Sequence, residues 1–112
     1  MTYLHLKRRV EFGRVIKRGR TYGDKYLVLF VLYVGDSQKV RVGFTTQRSL
    51  GTAVKRNRVR RRLRALYRIY APLVMDCGDL IFLGKKSMID APWDELRASM
   101  RRVLRQAGCM KR

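Results

Sequence analysis

The sequence predicts an α+β fold, a two-layer sandwich running helix, two or three strands, helix, strand, helix, in a single domain over residues 1–112. Three observations predict it. The run Tyr26 to Val34 is dense in Val, Leu, Phe and Tyr, the composition of a strand buried on both faces. A later apolar run, Asp79 to Leu83, has the length of a strand returning to the same sheet. Between and around them lie segments whose apolar residues recur at helical spacing.

The first helix is expected from about Arg8 to Arg18, with Phe12, Val15 and Ile16 at i, i+3, i+4 spacing and Gly19 as its stop. Arg20 to Gly23 has room for a short extra strand. Tyr26 to Val34 and Lys39 to Thr45, separated by the turn residues Gly35-Asp36-Ser37, are expected to pair as an antiparallel hairpin. In the second of these strands Val40 and Val42 share one face, and Lys39 and Arg41 the other. A long helix is predicted from Ala53 to Tyr70, ended by Pro72. The last helix is expected to start with Asp90 as N-cap and Pro92 in its first turn, where Asp94 and Glu95 meet the positive end of its dipole. Trp93, Leu96, Met100, Val103 and Leu104 form its buried stripe, and Gly108 ends it.

Charge narrows the function. Lys and Arg total 27 against 8 Asp and Glu, a formal net charge of +19. Such an imbalance destabilises a compact chain by self-repulsion, and a polyanionic partner relieves it. A nucleic acid is the first candidate, because each neutralised phosphate releases a counterion. The hydrophobic content of 46% fits a folded globule better than a disordered basic tail. No secretion signal is read at Met1 to Leu6, and the longest apolar run is far shorter than the roughly 20 residues of a membrane helix. Cys77 and Cys109 lack metal-ligand spacing and are read as small buried hydrophobes in a reducing cytosol, in preference to a disulfide or a metal site.

The charge concentrates on the long helix. No acidic residue occurs between Ser37 and Met75, and seven of the ten residues from Lys55 to Arg64 are basic. At about 100° per residue, Val59, Leu63, Leu66 and Tyr70 fall within a sector of roughly 60°, the face for the sheet. Asn57, Arg60, Arg61, Arg64 and Arg68 occupy about 100° on the opposite side. Arg58 and Arg62 flank this face on one side, Arg56 on the other. Arg60 with Arg64, and Arg64 with Arg68, are like-charge pairs at i, i+4 that repel by a few tenths of a kcal/mol each. Phosphates between the guanidinium forks offset that repulsion. Asn57 has three readings: orienting an arginine, touching RNA, or serving as a cap or fold-internal amide.

Other partners fit less well. A DNA-reading helix-turn-helix requires a preceding helix and a short turn, but a strand and a loop precede this helix. A membrane-surface helix requires bulky apolar anchors, and the narrow apolar stripe here is needed for the core. RNA is therefore the expected partner, with neither DNA nor membrane. Catalytic sets are not assembled: the single histidine, His5, sits in an N-terminal segment read as mobile, the eight acids are scattered, and no P-loop or two-metal carboxylate pair is present.

The run Gly51-Thr52-Ala53-Val54-Lys55-Arg56-Asn57-Arg58-Val59-Arg60-Arg61-Arg62-Leu63-Arg64 closely resembles the signature of the protein subunit of bacterial ribonuclease P. The likeness extends to Leu6-Lys7, Glu11-Phe12 and Val15 to Gly19 in the first helix, to Val42-Gly43-Phe44, and to Asp79-Leu80-Ile81-Phe82. It implies a left-handed strand-helix-strand crossover around the arginine-rich helix, against the usual hand. It also implies a subunit of an endoribonuclease whose catalytic groups lie on the RNA. That enzyme removes the 5′ leader of precursor tRNA, with Mg2+ bound through the RNA and not at a protein-only site. In that picture Lys55, Arg56, Asn57, Arg58, Arg60, Arg61, Arg64 and Arg68 hold the catalytic RNA. Phe12, Ile16, Lys17 and Phe30 line a cleft for the single-stranded leader, although Phe12 also fits plain core packing. Ile16 stands where the family commonly has an aromatic, and Ala65 where an acid often follows the arginine. The alternative is a ribosomal or other structural RNA-binding protein, separable by the RNA that co-purifies. A protein-only nuclease lacks its acid cluster.

Overall fold

A computed structural model describes residues 4–33 and 39–111. Among them, five strands form one sheet: β1 Leu4–His5, β2 Arg20–Gly23, β3 Leu27–Tyr33, β4 Arg41–Thr46 and β5 Gly78–Gly84. Three helices accompany it, α1 Arg9–Arg18, α2 Ala53–Tyr70 and α3 Trp93–Gln106. The mixed α+β class and the predicted helices and strands are present, and α2 has the predicted bounds. Thr52 caps α2, its hydroxyl accepting from the Lys55 N–H at 3.3 Å. A 3-10 turn at Ala71–Leu73, holding Pro72, comes directly after its end. The segment read as a mobile N-terminus contributes β1, which pairs in parallel with β4.

The expected hairpin is not formed. The sheet order is β1-β4-β5-β3-β2, so β5 stands between β3 and β4. It pairs antiparallel with β3 and parallel with β4. The Gly35-Asp36-Ser37 turn lies outside the described residues. Burial explains the insertion: Leu80, Ile81 and Phe82 are all fully buried, which requires cover on both faces and both edges of β5. Each fully buried side chain of this size is worth about 1.5–3 kcal/mol, more than the small closure advantage of a local hairpin. The parallel β4–β5 pair needs a crossover, and α2 supplies it.

The two faces of the sheet differ, and the layering departs from a simple two-layer sandwich. One face carries Leu27, Leu29, Val31, Val42, Phe44, Leu80 and Phe82 and packs on α2 and α3 in the main core. The other is covered by α1 alone, where Leu6, Val15 and Ile81 form a second, smaller cluster. With ten residues α1 cannot cover that face, so Phe30 and Leu32 of β3 stay partly buried. The strand expected to be buried on both faces is thus buried on one, and its other face stays partly exposed beside α1.

Two glycines set the helix distances. A Cβ on Gly84 would come within 2.2 Å of Val59, so its absence lets α2 settle on β5. On the opposite face a Cβ on Gly43 would meet the ring tip of Phe12 at 2.4 Å, so Phe12 lies close against β4.

At α3 the predicted start is displaced. The helix begins at Trp93 with Pro92 as its N-cap residue, so Asp90 does not cap it. Leu96, Met100, Val103 and Leu104 are fully buried as expected, but Trp93, at the very first position, is 38% exposed. Asp24 ties α3 to the β2–β3 connection, accepting from Ser99 Oγ at 2.6 Å and Arg102 Nη1 at 2.8 Å. Cys77 and Cys109 are free thiols, the latter fully buried, yet their sulfurs meet at 2.6 Å. Sharing a hydrogen with Cys77, and then burial, pushes the Cys109 thiol well above its ordinary pKa.

Candidate RNA interface

The exposed side of α2 follows from its inner side. Val59, Leu63, Leu66 and Tyr67 are fully buried, and Tyr67 joins Phe44 and Phe82 in an aromatic cluster with centroids 5.4–6.1 Å apart. The sequence placed Tyr70 in this stripe; Tyr67 takes the deeper place and Tyr70 is half-buried. Burial of these side chains, at about 1.5–3 kcal/mol each, exceeds the few tenths of a kcal/mol lost to each like-charge pair outside. The helix therefore tolerates a face of arginines without acids. Among the described residues, the one ion pair made by an α2 arginine is Arg58 with Asp90, at 3.9 Å.

The basic residues then divide by what they already hold. Lys55, Asn57, Arg61, Arg64 and Arg68 are exposed, and Arg60 is half-buried. Asn57 Oδ1 accepts from Arg60 Nη1 at 3.2 Å, so of its three readings the structure shows it orienting an arginine. Arg64 lies over the Phe44 ring at 5.9 Å. Arg56 returns to Gly51 O at 2.9 Å, and Arg58 Nε donates to Ile89 O at 3.1 Å. Arg62 is committed to the fold: it donates to Met88 O, Ile89 O and Ala91 O at 2.7, 2.9 and 2.8 Å. Burial, and then the charge of Arg58, pull the Arg62 pKa below the ordinary guanidinium value.

The residues expected to line a cleft lie on the other side of the sheet. Phe12 and Phe30 both pack against the cluster of Leu6, Val15 and Ile81 and remain partly buried. Ile16, 40% exposed, and Lys17 stand on the open shoulder of α1. The structure thus brings Phe12 and Phe30 against the same neighbours and leaves Ile16 and Lys17 exposed on α1.

On the same side of the sheet, Arg41 joins β4 to β5 and α1. Its Nε and Nη2 hold both oxygens of Asp79 at 2.9 and 2.7 Å, and its Nη1 holds Glu11 Oε2 at 2.6 Å. The bidentate bond to Asp79, opposed by burial and aided by Glu11, raises the Arg41 pKa above its ordinary value. Because both acids are taken by Arg41, they offer no free carboxylate pair to a metal. Among the described residues no group of three or more His, Cys, Asp or Glu could hold one. Neither Arg41 nor Trp93 could be assigned a functional role in sequence. Arg41 and Asp79 face each other only through the β4–β5 register, and the exposure of Trp93 depends on where α3 starts.

Comparison with known proteins bears on the family and the fold. The family model described as Ribonuclease P matches residues 2–108. The ribonuclease P protein component of Chloroflexus aggregans is 43% identical over 103 residues, 91% of this chain and 76% of that protein. The one from Gluconacetobacter diazotrophicus is 41% identical, covering 92% and 90%. Among solved structures, the RNase P protein of Staphylococcus aureus superposes with a TM-score of 0.81 at 21% identity, over 96% of this chain and 97% of that one. The RNase P protein of Thermotoga maritima gives 0.78 at 21% identity, over 91% and 96%. At those identities the structures speak for the fold alone.

Proposed function

The chain belongs to the ribonuclease P protein family, and on that premise we propose a division of labour between its two faces. As a subunit of that tRNA-processing endoribonuclease, it partners the ribonuclease P RNA, which carries the catalysis. We place the RNA on the outer face of α2, through Lys55, Arg56, Asn57, Arg58, Arg60, Arg61, Arg64 and Arg68. Arg61, Arg64 and Arg68, exposed and without acidic partners among the described residues, carry most of the contact. The 5′ leader of precursor tRNA enters the cleft of Phe12, Ile16, Lys17 and Phe30 on the opposite face of the sheet. What supports the reading is this separation: an arginine face with no acid on its own helix on one side, and the partly buried aromatics Phe12 and Phe30 beside α1 on the other.

That placement gives the chain's own residues their tasks. Guanidinium groups on α2 neutralise phosphates and fix the register of the protein on the RNA. The cleft holds the unpaired leader by stacking and charge, which raises affinity for precursor over mature tRNA. Magnesium, in this reading, is held by RNA phosphates in the cytoplasm where the enzyme works; among the described residues no group of three or more His, Cys, Asp or Glu could hold it. The single domain over residues 1–112 and the left-handed sense of the β4–α2–β5 crossover belong to the same proposal.

Reconstitution with the cognate catalytic RNA and a precursor tRNA tests it. Arg61→Ala with Arg64→Ala should weaken binding to the catalytic RNA about 30-fold, at ~1 kcal/mol for each partly solvated charge-assisted contact. The slope of log affinity against log salt should fall by roughly one per arginine removed. Phe12→Ala should weaken precursor binding and leave mature tRNA binding unchanged. Unaltered processing by all three substitutions would refute the assignment.

A further inference from the structure

The first turn of α3 holds a feature that the two faces described above do not use. Trp93 is the chain's single tryptophan, and more than a third of it is exposed although its helical stripe-mates are buried. It forms one wall of a groove of about 360 Å³ lined also by Arg58, Arg61, Arg62 and Ala65. The short side chain of Ala65 leaves the α2 side of the groove open. A second depression, lined by Val54, Asn57, Arg58 and Arg61, adjoins it and shares two of its arginines. Together they form a track along the flank of α2 that ends at the indole.

We propose that this groove is a stacking site for one unpaired nucleobase of the catalytic RNA, with Trp93 as the platform. The inference rests on the proposed placement of that RNA on α2. Two features of the groove favour a base over another occupant. First, Arg62 is held by three backbone carbonyls with its guanidinium 5.8 Å from the Trp93 ring centre, so it braces the indole and is not free to swing to a phosphate. A cation fixed beside the ring holds the platform in one orientation before RNA arrives. Second, Arg61 is exposed and uncompensated at the groove's mouth and belongs equally to the arginine face. A strand whose phosphates track α2 therefore brings its next base over the ring. Flat aromatic surface beside free guanidinium is the pairing that stacks a base and holds its phosphate at once.

The single tryptophan makes the test direct. Titrating the full chain with the cognate catalytic RNA should quench the indole emission in step with binding. Trp93→Ala should weaken that binding about 5- to 100-fold, the range for one base–aromatic stack. Trp93→Phe should recover most of the loss, whereas Trp93→Leu, which keeps apolar cover without an aromatic face, should not. Recovery by Leu would show packing and overturn the proposal, as would unchanged emission at saturating RNA. Quenching by polyglutamate and not by the RNA would assign the groove to an acidic protein and also overturn it. If Trp93→Ala binds as the parent does while Arg61→Ala with Arg64→Ala does not, the stacking site alone fails. If all three bind normally, the placement of the RNA on α2 fails with it.

Discussion

On the α1 side of the sheet, Arg41 is enclosed by two carboxylates within 3 Å, whereas across the sheet Arg61, Arg64 and Arg68 stand in solvent with no acid among the described residues. The side chain is the same and the roles are opposite. Arg41 ties β4 to β5 and α1, and its charge is spent inside the protein. Arg61, Arg64 and Arg68 pair with no acid among the described residues, whereas Arg62 on the same helix is tied to the carbonyls of Met88, Ile89 and Ala91. The few acids divide in the same way. Asp24, Asp76 and Glu95, like Glu11 and Asp79, accept hydrogen bonds within the fold. With the acids distributed to the scaffold, α2 has none of its own, and its eight basic residues are a large share of the 27 behind the net charge of +19.

Three substitutions test that contrast, in falling order of their effect on folding. Arg41→Ala strands the buried carboxylate of Asp79 without its partner, and urea unfolding should show a loss of about 3–5 kcal/mol. The folded fraction should still bind the catalytic RNA. A loss below about 1 kcal/mol would place the cluster among ordinary surface pairs. Gly43→Ala drives a methyl group into the Phe12 ring, and a thermal melt should register about 1–3 kcal/mol of overpacking. Affinity for a leader-bearing precursor should fall with it, and Phe12→Leu in the same chain should restore part of the stability. Arg61→Ala with Arg64→Ala should change stability least, by a few tenths of a kcal/mol and in the stabilising direction, because like-charge repulsion is removed. Marked destabilisation by that pair would mean that α2 uses its arginines as Arg41 is used.

Some of this was legible in the residues. Ala53 to Tyr70 reads as α2 because its apolar spacing is regular and Thr52 and Pro72 mark its ends. The arginine face is legible for the same reason, since a helical wheel needs only local spacing. The family resemblance is what singles out Phe12, Ile16 and Lys17, and the partial burial of Phe12 beside Phe30 depends on how little of the sheet α1 covers. The hairpin failed as an expectation because two neighbouring apolar strands pair readily on paper, and nothing in either one announces that β5 will come between them. Trp93 was misplaced because a stripe assigns a side of the helix but not how far the neighbouring element reaches along it.

By itself the sequence determined the three helices, four of the five strands, most of the buried side of each helix and the anionic character of the partner, because composition and periodicity are local properties. Tertiary structure decided the order of the strands, the face on which α1 lies, the union of Arg41 with Glu11 and Asp79, and the groove at Trp93. The Arg41 contacts join residues 30 and 38 positions apart, and their partners are chosen by which arrangement buries β5 on every side. Periodicity says which face of an element is covered; it carries no information about what covers it.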